Sequence, residues 1–130
     1  MYATKLLPAV PDVTAPDGSD VRVLLALEGG SMAHFELFPG RTSAAVVHAT
    51  AEEIWYILGG KGEMWRSYGG NEAVVTVEAN VCVTIPRGTR FQFRSFGPEP
   101  LAAVAITMPP WSGDAEARVV GGYWDPDLGA

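Results

Sequence analysis

His48-Ala49-Thr50-Ala51-Glu52-Glu53-Ile54-Trp55-Tyr56-Ile57-Leu58-Gly59-Gly60-Lys61-Gly62 reads as a strand that ends in a glycine-rich turn and re-enters a second strand. Side chains alternate between faces along a strand, so Glu53, Trp55 and Ile57 share one face and Ile54, Tyr56 and Leu58 the other. Gly59-Gly60-Lys61-Gly62 lacks the Walker spacing and a following helix, so it is a hairpin turn and not a phosphate loop. Downstream, Asn80 precedes the alternating run Val81-Cys82-Val83-Thr84-Ile85. Pro86-Arg87-Gly88 then turns the chain into Thr89-Arg90-Phe91-Gln92-Phe93-Arg94-Ser95.

Outward from these stretches the chain keeps the same texture. Gly-Gly pairs at 29–30, 69–70 and 121–122 and Pro39-Gly40 break it at short intervals. Between the breaks lie β-rich runs at 21–27, 33–38, 44–48, 63–67, 73–77 and 101–108. Many short strands at regular spacing, bounded by Gly and Pro, predict an all-β sandwich or barrel. No long run has helical periodicity. Residues 1–20, with Pro8, Pro11, Pro16 and Asp17-Gly18, read as an extended arm, 21–110 as the barrel, and 111–130 as an irregular tail. Trp111, Tyr123 and Trp124 anchor that tail on the barrel's outside or on a second subunit.

Composition narrows the function. With 130 residues, 48% of them apolar, the chain has one core and one domain. The formal net charge of -6 excludes a basic face for nucleic acid or an anionic membrane. No apolar run reaches the roughly 18 residues of a membrane helix, and residues 1–8 lack a signal peptide's apolar stretch. The single cysteine, Cys82, permits no internal disulfide and is expected to be a small buried hydrophobe. The expectation is a soluble, cytoplasmic protein.

The two quoted stretches resemble the paired signature of the cupin superfamily. The first motif, G-x5-H-x-H-x3-4-E-x6-G, is matched by His48, Glu53 and Gly60, with Thr50 in place of the second histidine and Thr42 in place of the leading glycine. The second, G-x5-P-x-G-x2-H-x3-N, keeps Pro86 and Gly88; Asn80 replaces the leading glycine, Phe91 the histidine and Ser95 the asparagine. The likeness spans about residues 33–108 and is similar to that of small bacterial single-domain cupins with a degenerate metal site. It implies a cupin-type double-stranded β-helix, a jelly-roll barrel, and cupins often pair, so a homodimer is expected.

In metal-binding cupins, three histidines and the glutamate converge inside the barrel. Here the resemblance leaves only His48 and Glu53 as ligands, short of the three protein ligands of catalytic zinc or facial iron sites. No cofactor is therefore expected; a weakly held divalent transition metal on His48 and Glu53 is the alternative. His34 is expected to be solvated, Trp65 to pack in the core, and Arg90 and Arg94 to lie on a solvated face. If His48, Thr50 and Glu53 face inward as the resemblance implies, Trp55, Ile57 and Phe91 join them around an apolar, aromatic pocket with a His48–Glu53 polar pair. A protonated His48 would then partner the buried Glu53 carboxylate.

The expected function is small-molecule binding, the ligand mainly apolar or aromatic and bearing a carboxyl or carbonyl. Three alternatives stand beside it. One is a metal-free isomerase, epimerase or cyclase, with His48 as general base, Glu53 orienting it and Thr50 or Tyr56 polarising a carbonyl. Another is a metal-dependent oxygenase-type cupin. The last is a scaffold whose pocket is filled by its own side chains.

Overall fold

The protein is described by a computed structural model over residues 1–127; the last three positions of the tail lie outside the described residues. Its strands are β1 (Val13–Thr14), β2 (Asp20–Leu27), β3 (Gly30–Leu37), β4 (Ala45–His48), β5 (Glu52–Gly59), β6 (Lys61–Tyr68), β7 (Asn71–Glu78), β8 (Cys82–Ile85), β9 (Arg90–Ser95), β10 (Leu101–Met108) and β11 (Ala117–Val120). They form two sheets, ordered β1-β2-β3-β10-β5-β8 and β11-β4-β9-β6-β7. From β3 onward every connection except the β6–β7 hairpin crosses between the sheets, giving the jelly-roll double-stranded β-helix. No described helix is long and apolar enough to cross a membrane.

Alternation decides what lies between the sheets. In β5, Glu53, Trp55 and Ile57 are buried while Glu52, Ile54, Tyr56 and Leu58 are exposed. In β10, Leu101, Ala103, Ala105 and Thr107 point inward. With Leu37, Val46, Met64, Val77, Val83, Ile85, Phe91 and Phe93, the apolar residues Trp55, Ile57, Leu101, Ala103 and Ala105 make one core. The small residues Ala103 and Ala105 leave room for the rings opposite. Phe35 stacks on Trp55 at 5.2 Å, and Phe93 meets Trp55 edge-on at 5.2 Å.

The motif positions have conformational causes. Gly60 has φ 77°, and a Cβ there would run into the Pro100 carbonyl. A Cβ on Gly62 would run into the Arg94 carbonyl, because β6 and β9 touch there. Asn80 takes φ 77°. Asparagine is among the few residues that adopt this left-handed conformation readily, so it serves where the resemblance calls for glycine.

Both chain ends cover sheet edges, which would otherwise offer unpaired backbone groups. β1 pairs with β2, and Arg22 donates to the Pro8 and Ala9 carbonyls, tying down the arm. β11 pairs with β4, so the tail contributes a strand that the sequence reading did not foresee. Beyond it, Gln92 clamps the tail. Its amide donates to the Ser43 and Trp124 carbonyls and accepts from the Tyr123 and Trp124 N–H groups.

Four side chains stand elsewhere than expected. His34 is buried, not solvated: it faces Arg22 across β2 and β3, and burial holds its imidazole below the usual range against an opposing pull from Glu36. Cys82 is exposed, because it lies on the outer face of the larger sheet. Trp65 is buried outside the barrel core, stacked against Tyr123 of the tail. Arg94 is half-buried on a covered face, bonded to Glu63 with its guanidinium 4.4 Å from the Trp124 ring, whereas Arg90 is exposed.

Candidate functional site

A cavity of about 240 Å³ opens at one end of the barrel. Its floor is Phe35, Trp55 and Phe91, its rim Val13, Ala15, Pro16 and Met32, and its cover Pro110 and Trp111 of the tail. The polar groups at its wall are Asp17, Ser31, His48, Glu53 and Thr107, with Asp114 beside the cover. The shape and lining are those of a small-molecule pocket: mostly apolar, with a few convergent polar groups.

β5 carries Glu53 inward, and two neutral donors hold its carboxylate. Trp55 Nε1 donates to Oε1 at 2.9 Å, and the Thr107 hydroxyl donates to Oε2. His48, the last residue of β4, comes no nearer than 3.9 Å, Nδ1 to Oε1, beyond hydrogen-bond reach. The buried Nδ1 has no partner. His48 is instead packed edge-on between Phe91, at 5.2 Å, and Trp111, at 5.4 Å. The expected ion pair is thus a pair of neighbours without a bond.

Thr50 does not line the cavity. Its hydroxyl and N–H, with the Ala51 N–H, all bind the Glu116 carboxylate. Burial works to raise the Glu116 pKa, but these three bonds and the nearby His48 outweigh it and hold the acid below the usual carboxylate range. Ile57 is wholly buried in the core below the cavity and does not line it. Tyr56 points outward and donates to Asn80. Of the six residues singled out from the sequence, His48, Glu53, Trp55 and Phe91 meet around one space.

Four residues of the site escaped the sequence reading. Asp17 lies in the turn before β2, and its Oδ1 accepts from the Ser19 N–H and hydroxyl. Burial, aided by the Glu53 charge, pushes its pKa up despite those bonds. Trp111 is held by its N–H donating to Ser31 Oγ. Glu116 is the last residue of a short 3-10 turn at Asp114–Glu116. Thr107 alone left a readable signal: it is the one polar residue at the inward positions of the Leu101–Met108 run.

The metal position of the resemblance can be tested on these contacts. Phe91 fills one ligand position with a ring, Thr50 is spent on Glu116, and Glu53 on Trp55 and Thr107. Among the described residues no three histidine, cysteine, aspartate or glutamate groups gather as metal ligands. The donors present do not fit a three-ligand transition-metal centre.

Comparison with known proteins bears on the fold. The family model described as Cupin domain matches residues 33–107. No curated protein matches the sequence. An uncharacterized conserved protein with a double-stranded β-helix domain from Klebsiella pneumoniae is 21% identical, with 80% of this chain and 85% of that one covered and a TM-score of 0.66. Streptomyces PAC13, in a histidine-to-glutamine form with uridine, is 17% identical over 81% and 80% of the two chains, with a TM-score of 0.65. A Lactobacillus farciminis oxalate decarboxylase in a formate complex is 18% identical over 78% of this chain but only 31% of its own, with a TM-score of 0.69. At these identities the likeness concerns the fold.

Proposed function

The chain belongs to the cupin domain family, and on that premise we propose that it binds a small organic molecule in the mouth of its barrel without a resident transition metal. The observation that carries this reading is the 240 Å³ cavity walled by Phe35, Trp55, Phe91 and Trp111, with the unpartnered Nδ1 of His48 at its wall. A buried polar atom without a partner costs about 1–3 kcal/mol, and a ligand that bonds it recovers that cost. A structural neighbour found with uridine supports a cyclic organic ligand in a barrel of this shape. The same reading has the protein acting as a homodimer, in the cytoplasm, where a lone cysteine forms no disulfide.

The test uses 2-phenylethanol, a neutral aromatic probe, titrated into the whole chain while the indole N–H resonances are followed by NMR. The Trp55 and Trp111 resonances should shift together and saturate, and Trp111→Ala should weaken the effect. Shifts confined to Trp65 and Trp124, on the outside of the smaller sheet, would refute the reading. So would stoichiometric metal in the purified protein that His48→Ala removes.

A second reading, metal-free proton transfer, is favoured by one feature. His48 has a free ring nitrogen inside a cavity and a carboxylate 3.9 Å away. Those are the parts of a general base and the group that stabilises its charged form. Exchange of a substrate proton with solvent, lost in His48→Gln, is its signature.

A further inference from the structure

The charges around the cavity select the kind of ligand. The acids Asp17, Glu53 and Asp114 line it, and among the described lining residues there is no lysine or arginine. Glu53 is 4% exposed, and both hydrogen bonds it accepts come from neutral groups, the Trp55 indole and the Thr107 hydroxyl. A carboxylate taken out of water needs a compensating charge, and neutral donors only partly replace its hydration. His48 is the one residue nearby able to carry a positive charge, and it stands out of bonding distance.

The apolar groups point the same way. Four rings surround the space: Phe35 stacked on Trp55, Phe91 edge-on to both Trp55 and His48, and Trp111 above. Aromatic faces carry negative potential and attract cations, most strongly where water is excluded. His48 Nδ1, nine-tenths buried and unpartnered, is free to accept a bond when the proton sits on the other ring nitrogen.

We propose that the cavity takes a protonated amine carried on a small aromatic or apolar body. The inference rests on the pocket reading above and adds the sign of the ligand's charge. The ammonium group would lie among Glu53, Asp17 and His48, and the body would fill the space between Phe35, Phe91 and Trp111. The 240 Å³ available suits a single ring with a short arm. A carboxylate ligand, one of the two kinds (carboxyl or carbonyl) expected from the sequence, would bury a second negative charge beside Glu53 with no lysine or arginine to meet it.

Three matched probes decide it: 2-phenylethylamine, 2-phenylethanol and phenylacetate, titrated calorimetrically into the full chain at neutral pH and low salt. The amine should bind at least about tenfold tighter than the alcohol, and phenylacetate should give no measurable heat. Glu53→Gln should cost the amine at least about tenfold more than it costs the alcohol. Alcohol or phenylacetate binding as tightly as the amine would overturn the inference and leave the pocket reading standing. Absence of binding by all three at millimolar concentration would overturn both. Should Glu53→Gln fail to fold, Asp17→Asn replaces it, and the wild-type ranking decides in either case.

Discussion

Glu116 shows how a single carboxylate organises the ground beside the site. It caps the bend between β4 and β5 by accepting from the Thr50 N–H, the Thr50 hydroxyl and the Ala51 N–H, and its backbone carbonyl accepts from Ala49. Glu116→Ala leaves the buried Ala51 N–H without an acceptor, at about 1–3 kcal/mol, and the exposed Thr50 N–H at about 1 kcal/mol, so a loss of about 2–4 kcal/mol is expected in urea unfolding at neutral pH. Glu116→Gln should lose less. The pH dependence has a definite sign. The folded-state pKa lies below the ordinary 4.5, so the unfolded chain takes up the proton first as pH falls. The stabilisation is fully present above about pH 4.5 and disappears as pH drops through the folded value. Glu116→Ala should therefore differ most from the parent at neutral pH and converge on it in acid. A stability difference constant down to pH 3 would contradict this.

At the scale of elements, Gln92 decides where the tail lies. It sits at the outward parity of β9, yet it is wholly buried because residues 121–124 fold over it, and its four hydrogen bonds exhaust its amide. Gln92→Ala should release that segment. Loss of amide protection at Tyr123 and Trp124, with about 2–4 kcal/mol less stability, is expected in hydrogen exchange, while 2-phenylethanol binding stays intact because Gln92 does not line the cavity. Retained protection would mean that the Trp65–Tyr123 stack and the Arg94–Trp124 contact hold the tail unaided. The same element shows what was legible in the sequence. The resemblance put Phe91 inward, alternation then puts its neighbour Gln92 outward, and the turn residues placed the β5–β6 hairpin. Parity names a face, however, without saying what covers it. Gln92 and His34 are therefore buried on outward faces, while Cys82, two residues from the β8 turn, is exposed. Asp17 and Trp111 reach the cavity through loops whose path no local pattern encodes. The His48–Glu53 bond failed for a related reason: spacing brought the two residues to one cavity, but Trp55 and Thr107 had already taken the carboxylate.

For the whole molecule, the two sheets have unequal outer faces. The smaller one lies under the tail, through Gln92, Trp65, Tyr123 and Trp124. The larger one carries Ile54, Tyr56 and Leu58, exposed by 42%, 43% and 46%, in one row along β5. Ile106 and Val104 of β10 stand directly beside Ile54 and Tyr56, and Cys82 of β8 flanks Tyr56 on the other side. A contiguous apolar patch of this kind marks an interaction surface more often than a bare one. An isologous pairing through it would bury the same row twice about a two-fold axis. A second copy also suits the charge: these side chains are uncharged, so a chain of net charge -6 meets its twin where repulsion is least. Light scattering at micromolar concentration should return the mass of two chains. Ile54→Lys combined with Leu58→Lys should return one, with the fold retained, because both side chains point away from the core. A parent that scatters as one chain, or a doubly substituted chain that still scatters as two, would remove the larger sheet as the pairing face. The cavity mouth is built from Val13, Met32 and Trp111 of a single chain. The lysine variant should therefore bind 2-phenylethanol as its parent does, separating assembly from ligand capture.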